Sequence, residues 1–174
     1  MALFKALRLK SAPVSVQKQN QERWNKGRSL GEADFFTIGY VGKDGGSLIK
    51  SLSDAGVETV VDIRFTPISQ YKPQFSKGNL RRLLNDNGIE YLHRPDLGVP
   101  RDVRGSAVDS PTRDPIWEWY DEYVVTDYVR NLTDFFNMQE HPVAFLCVEA
   151  DPTSCHRHRL SLALERVGLT SYDL

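Results

Sequence analysis

Residues 143–167 read VAFLCVEADPTSCHRHRLSLALERV. Val143 to Glu149 is the most apolar strand-like run of the chain, and Cys155 to Val167 sets Leu160, Ala163, Leu164 and Val167 at helical spacing. A buried strand, a short polar loop and an amphipathic helix together make half of a βαβ unit. The same alternation recurs upstream. Phe35 to Tyr40 is strand-like and ends in glycines; Ser47 to Ala55 carries Leu48, Ile49 and Leu52 at helical spacing, with Gly56 at the C-cap. Val57 to Arg64 is a β-branched strand, Lys77 to Asn87 a helix presenting Leu80, Leu83 and Leu84 before Gly88, and Ile89 to His93 a third strand. Asp114-Pro115 opens a long helical segment, Ile116 to Met138, with Trp117, Tyr120, Val124 and Tyr128 on one face, Leu132, Phe135 and Phe136 beyond, and Pro142 closing it. This order predicts one α/β domain over residues 35–174, three-layered, with a mainly parallel sheet of about four to five strands and helices on both faces.

The chain has 174 residues, 40% apolar and 26% charged, which is ample for a core. Its net charge of -1 excludes a uniformly basic surface that coats nucleic acid. That figure hides a cancellation. Residues 1–34 hold seven basic and three acidic side chains (+4), whereas the remainder holds fifteen and twenty (-5). The arm reads as mobile or as a strap on the body: Met1 to Lys10 has the pattern of a short basic amphipathic helix, open also to a targeting reading, and the polar stretch Gln17 to Ser29 reads as linker. Two cysteines are too few for a secreted disulfide scaffold, and no apolar run approaches the roughly 18 residues of a membrane span. The expectation is a cytoplasmic protein without membrane partners. Fourteen arginines against eight lysines invite attention to where the arginines lie, because arginine grips carboxylate and phosphate bidentately, although genomic base composition gives the same ratio.

In parallel α/β sheets, ligands bind beyond the carboxyl ends of the strands. After the first strand come Gly39, Tyr40 and Gly42, then Gly45-Gly46 before a helix, a pattern that serves either an anion or a tight turn. The second ends in Asp62-Ile63-Arg64, with Asp62 and Arg64 on one face. They form either a self-satisfied buried ion pair or an arginine oriented into the cleft by Asp62, and the following loop adds Lys72 and Gln74 among aromatics. The third strand delivers His93, Arg94 and Gly98, then a long loop, Pro95 to Pro115, carrying Arg101, Arg104 and Arg113, which reads as a binding loop or a disordered excursion.

The fourth strand leads to Cys155-His156-Arg157-His158-Arg159. Cys155 in the first turn of a helix would be favoured as thiolate by the free N–H groups there. It serves as nucleophile, as metal ligand or as a small buried residue. His156 continues the buried stripe and is expected to face the cleft, with His158 facing outward. Glu149 is a candidate general acid or carboxylate nucleophile. Cys147 with Arg157 has a superficial likeness to a phosphatase loop, but Glu149 and Asp151 between them would repel an anion.

Four ordered blocks carry a resemblance: Thr37 to Tyr40; Val61 to Arg64 with Pro67, Gln74 and Phe75; Ile89 to His93 with Leu97 and Gly98; and Cys147-x-Glu149-x-Asp151-Pro152-x-x-Cys155-His156-Arg157. In these the chain, from Phe35 to about Leu169, resembles the family catalogued as domain of unknown function 488. That family often has a histidine and a serine or threonine where this chain has Tyr40 and Val41. The resemblance implies an α/β domain with a polar cleft, joins Cys155, His156 and Arg157 as a unit, and supplies no reaction.

The first expectation is therefore a small intracellular hydrolase or transferase acting on a nucleotide, nucleic acid or other phosphorylated compound. Its candidate catalytic residues are Cys155, His156, Glu149 and Asp62. Ligand-binding candidates are Arg64, Arg157, Gly39, Tyr40, Lys72, Gln74, His93 and Gly98, with Arg64, Arg157 and Arg101 converging on one cleft. A non-catalytic nucleic-acid-binding module is the second reading. A metal site of Cys155, His156 and His93 is the third; no cofactor is predicted, with a divalent metal left open.

Overall fold

Strand β4 (Val143–Cys147) is buried along its whole length, and the sheet is built around it. In the computed structural model, which describes residues 13–133 and 142–174, five parallel strands run in the order β3-β2-β4-β1-β5. Strand β1 is Phe35–Gly39, β2 Thr59–Asp62, β3 Glu90–His93 and β5 Ser171–Asp173. The register sets Gly39 beside Cys147, and Asp62 beside Leu146 and His93, so four strand ends form one rim.

Connections explain the layers. Helices α2 (Gly45–Asp54) and α3 (Lys77–Asn85) link β1 to β2 and β2 to β3, and bury Leu48, Leu52, Leu80 and Leu84 against Val60, Leu146 and Ile38. The opposite face carries α5 (Asp114–Tyr120), a π-helical turn (Asp121–Val125), α6 (Thr126–Arg130) and α7 (Arg157–Arg166). These pack Tyr120, Val124, Tyr128, Leu160 and Leu164 on Val61, Phe145 and Phe35. Right-handed crossovers require this division, because the chain turns back after β3 to insert β4 between β1 and β2. The end of β4 is thus a point where neighbouring strands connect to opposite faces, the place where α/β sheets open a crevice.

Several local expectations change. Gln17 to Trp24, the first part of the stretch read as linker, lies in helix α1 (Val14–Trp24), held by polar contacts rather than an apolar stripe. Gln17 is buried, its Oε1 accepting from the Ala150 N–H at 3.2 Å; Asn20 donates to Asp151 at 2.7 Å and Gln21 to Asp173 at 3.0 Å. A periodicity test cannot see such a helix. The long loop from Pro95 is also structured, with a 3-10 turn at Pro95–Leu97 and helix α4 (Arg101–Ser106). Strand β5 adds a fifth member too short and polar to register as a strand. Helix α7 begins at Arg157, later than the spacing predicts, and Val167 is exposed. Expectations for Met1 to Lys10 and for Phe135 and Phe136 lie outside the described residues.

Gly39 and Gly98 have a steric reason to be glycine. A Cβ on Gly39 would stand 1.7 Å from the Glu149 carbonyl oxygen, and one on Gly98 2.4 Å from the Phe65 nitrogen. Their role is close backbone approach, which brings the loops after β4 and β2 onto neighbouring strands. At Gly45-Gly46 the helix start is already capped: Asp44 and Ser47 exchange side-chain and backbone hydrogen bonds.

Candidate functional site

Beyond β4 the chain turns through Val148 to Asp151 and a 3-10 turn (Pro152–Ser154) before Cys155. Cys155 is extended, φ -130° and ψ 145°, and precedes helix α7 instead of lying in its first turn. Because the loop doubles back, Cys155 returns to the end of the strand it left. The sulfur of Cys147 lies 3.8 Å from His156 Nδ1, and that of Cys155 lies 3.9 Å from the same nitrogen. All three ligand-type atoms fall within 4.8 Å of one another. Both cysteines are free and buried, while His156 is half-buried.

The histidine is oriented from two sides. Its Nε2 lies 3.3 Å from the Ile63 carbonyl oxygen, and Tyr120 packs on the ring at 5.1 Å between centroids. A carbonyl only accepts, so this contact keeps a proton on Nε2; the Cys147 sulfur stands 4.0 Å from that nitrogen as well as 3.8 Å from Nδ1. Burial alone would raise the Cys155 thiol, but the Cys147 thiol, His156 and the positive charge of Arg157 together hold it well below the ordinary range. The Cys147 thiol is pushed up by its hydrogen bond to Cys155 and by burial. The Tyr120 hydroxyl is raised by burial first, with the cysteines adding to it, and it donates to the Leu97 carbonyl at 2.7 Å.

The arginines do not meet at this cluster as the sequence reading expects. Arg157 is fully buried: Nε donates to Asp173 at 3.0 Å, Nη2 to the Ala150 carbonyl at 3.0 Å, and Nη1 to the Glu149 carbonyl. Its donors are spent inside the fold, where it pins the loop after β4 to β5. Arg64 lies on the other face of the sheet. It makes a bidentate pair with Asp62, at 2.8 and 2.6 Å, and Asp62 also accepts from the Tyr91 hydroxyl at 2.7 Å. Burial opposes the Arg64 charge, but Asp62 more than restores it; the Tyr91 hydroxyl is pushed up by burial and by the same carboxylate. The Arg64 guanidinium rests 5.2 Å from the Tyr40 ring centroid, with Nη1 buried and without a hydrogen-bond acceptor among the described residues.

The remaining candidates scatter. His93 Nε2 contacts the Arg64 carbonyl at 2.9 Å and its Nδ1 lies 3.0 Å from Lys77 Nζ, away from the cysteines. Lys72 donates to the Lys43 carbonyl, and Gln74 is exposed. Glu149 is half-buried at the start of the loop, where its carbonyl serves Arg157. His158 is buried, contrary to the outward direction expected, with ring edges against Trp117 at 5.2 Å and Trp24 at 6.3 Å; burial lowers its pKa. Helical spacing failed there because α1, which the pattern did not show, covers that side.

Sequence reasoning missed Cys147 as a member of the site and gave Arg104 no special place. The signal for Cys147 was available: a cysteine at the last residue of the most buried strand, eight positions before a second cysteine. Arg104, on α4, is an arginine whose charge acts on the Cys147 sulfur, with Arg101 beside it; partial desolvation lowers its pKa.

Asp151 ties this loop to α1. Burial would raise its carboxyl, but hydrogen bonds from Thr153, Asn20 and Ser154 hold it below the ordinary value of about 3.8. The folded value lies below the unfolded one, so the stabilisation is fully present above the unfolded value and is lost as pH falls through the folded one. Asp151→Asn is expected to cost about 1–3 kcal/mol at neutral pH. Urea unfolding followed from pH 7 downward should show the gap between wild type and variant closing below about pH 4.

Among the described residues, no helix is long and apolar enough to cross a membrane. Comparison with curated proteins and with solved structures finds no match. A family model does match, over residues 46–164, which spans β2, β3 and β4 and ends within α7, so that it includes Cys147, Cys155 and His156. On that match the chain belongs to the family described as domain of unknown function DUF488.

Proposed function

We propose that the protein is a small cytoplasmic enzyme, a hydrolase or transferase, whose reaction centre is the cluster of Cys147, Cys155 and His156 and whose substrate is a nucleotide or another phosphorylated compound. The convergence of two cysteines and an oriented imidazole at the end of the central strand carries this reading. Such a group is costly to bury and contributes nothing to packing that valine or leucine would not, so chemistry is the better reason for it. Arg101 and Arg104 on α4 favour an anionic substrate on the same face. Glu149, at the start of the loop, is the candidate proton carrier. Two unpaired cysteines fit a reducing compartment.

The Arg64, Asp62 and Tyr91 group is assigned to holding the strand ends on the opposite face. The test is a panel of nucleotides, phosphodiesters and sugar phosphates offered to the full chain, with product release followed directly. Turnover is expected to fall about 100-fold or more in Cys155→Ser, and Arg104→Ala is expected to raise KM about tenfold with kcat little changed. Equal turnover in wild type and Cys155→Ser, or no turnover of any member, overturns the proposal.

A further inference from the structure

From the same cluster we infer that Cys147, Cys155 and His156 Nδ1 form a binding site for one zinc(II) ion, with the fourth coordination position left to a water molecule or substrate. This rests on the reading of the cluster as the reaction centre and names the ion that would work there. It is the one group of three or more metal-ligating side chains that converge in this way among the described residues.

Two observations support the assignment. The first is spacing: zinc bonds of about 2.3 Å to sulfur and about 2.0–2.1 Å to nitrogen, set near the tetrahedral angle, place ligand atoms roughly 3.5–4 Å apart. The sulfur to Nδ1 distances here are 3.8 and 3.9 Å. The second is the outer contact of the histidine. A metal-bound imidazole characteristically donates its other N–H to a carboxylate or carbonyl, which fixes the tautomer and aims the free nitrogen at the ion. His156 Nε2 has that partner in the Ile63 carbonyl at 3.3 Å.

Two thiolates and an imidazole select zinc over magnesium or calcium, which take oxygen ligands. A set of three protein ligands with an open position is the arrangement of catalytic rather than structural zinc sites. The expectation of His93 as third ligand is replaced: its ring is engaged by the Arg64 carbonyl and Lys77, and Cys147 takes the place assigned to it.

The test uses the full chain, reduced and stripped of metal by a chelator, then titrated with cobalt(II) as a spectroscopic stand-in and with zinc(II). Wild type should develop thiolate-to-cobalt charge-transfer and tetrahedral ligand-field bands that saturate at one equivalent and are displaced by zinc. Cys147→Ser and Cys155→Ser should each lose a large part of the charge-transfer band, while His93→Ala keeps it. Zinc should also slow alkylation of Cys155 by iodoacetamide about tenfold or more, with chelation restoring the rate. The wild-type titration decides the matter even if a serine variant does not fold. No saturable cobalt spectrum, or its loss in a folded His93→Ala, overturns the assignment. Turnover that depends on Cys155 without bound metal would leave the reaction centre standing and remove the zinc. Bound zinc without turnover of any phosphorylated compound would do the reverse.

Discussion

Replacing Asp173 by alanine is expected to lower the free energy of unfolding by about 3–5 kcal/mol, because it leaves Arg157 charged and fully buried without a counterion. Both side chains are inaccessible to solvent. Asp173 also accepts from Thr37 and Gln21, and its backbone exchanges two hydrogen bonds with Asn25, at 2.7 and 3.0 Å. The effect should appear in urea denaturation as a lower midpoint at similar slope. Removing the charge as well, in Arg157→Met with Asp173→Ala, is expected to recover part of the loss, since the penalty lies in the unpaired cation more than in the missing bond. A cost below about 1 kcal/mol for Asp173→Ala would mean that the pair does not lock the loop after β4 to the sheet.

Gly39→Ala is the second large effect. The added methyl would stand 1.7 Å from the Glu149 carbonyl oxygen, 2.5 Å from its carbon and 3.1 Å from the Ala150 nitrogen. All three are backbone atoms of the segment whose carbonyls receive Arg157, so no side chain can rotate away and the loop must lift as a whole. A loss of about 3 kcal/mol or more is expected, together with weaker cobalt binding, because Cys155 depends on the same loop for its return to Cys147. Gly46→Ala provides the contrast. Its nearest neighbour would be Asp44 Oδ1 at 3.6 Å, ordinary contact, and alanine in a helix should change stability by at most about 1 kcal/mol, in the favourable direction. Thermal or urea unfolding of the two variants side by side separates backbone clash from glycine removal in general.

Most of the architecture was legible in the sequence because its main elements obey simple periods. β1 to β4 and the helices between them rest on apolar repeats, and Gly56 and Gly88, at φ +68° and +73°, close α2 and α3 where the pattern places them. Strand order was not legible, since nothing in the apolar run of β4 distinguishes a central position from an edge. Helix α1 and strand β5 escaped for one reason: each is held by hydrogen bonds to distant polar groups, and neither carries a hydrophobic repeat. The site was legible in part. Cys155 and His156 stood out by type and position, whereas Cys147 looked like core until the loop was seen to return. Arginine positions misled because side-chain alternation assigns a face, and Arg64 falls on the face opposite the cysteines.

Helix α1 has a consequence in time. Its anchors lie 131 to 152 residues away along the chain, on the loop after β4 and on β5, and it brings little apolar surface of its own. Such contacts form only once their acceptors are in place, so α1 docks late in folding and opens early in unfolding. Its amide protons should exchange with solvent through a local opening far cheaper than the one that exposes β4. That opening would uncover His158 and the outer side of the Cys155 loop while the sheet stays whole, making α1 the slow-folding, fast-exchanging edge of an otherwise cooperative domain.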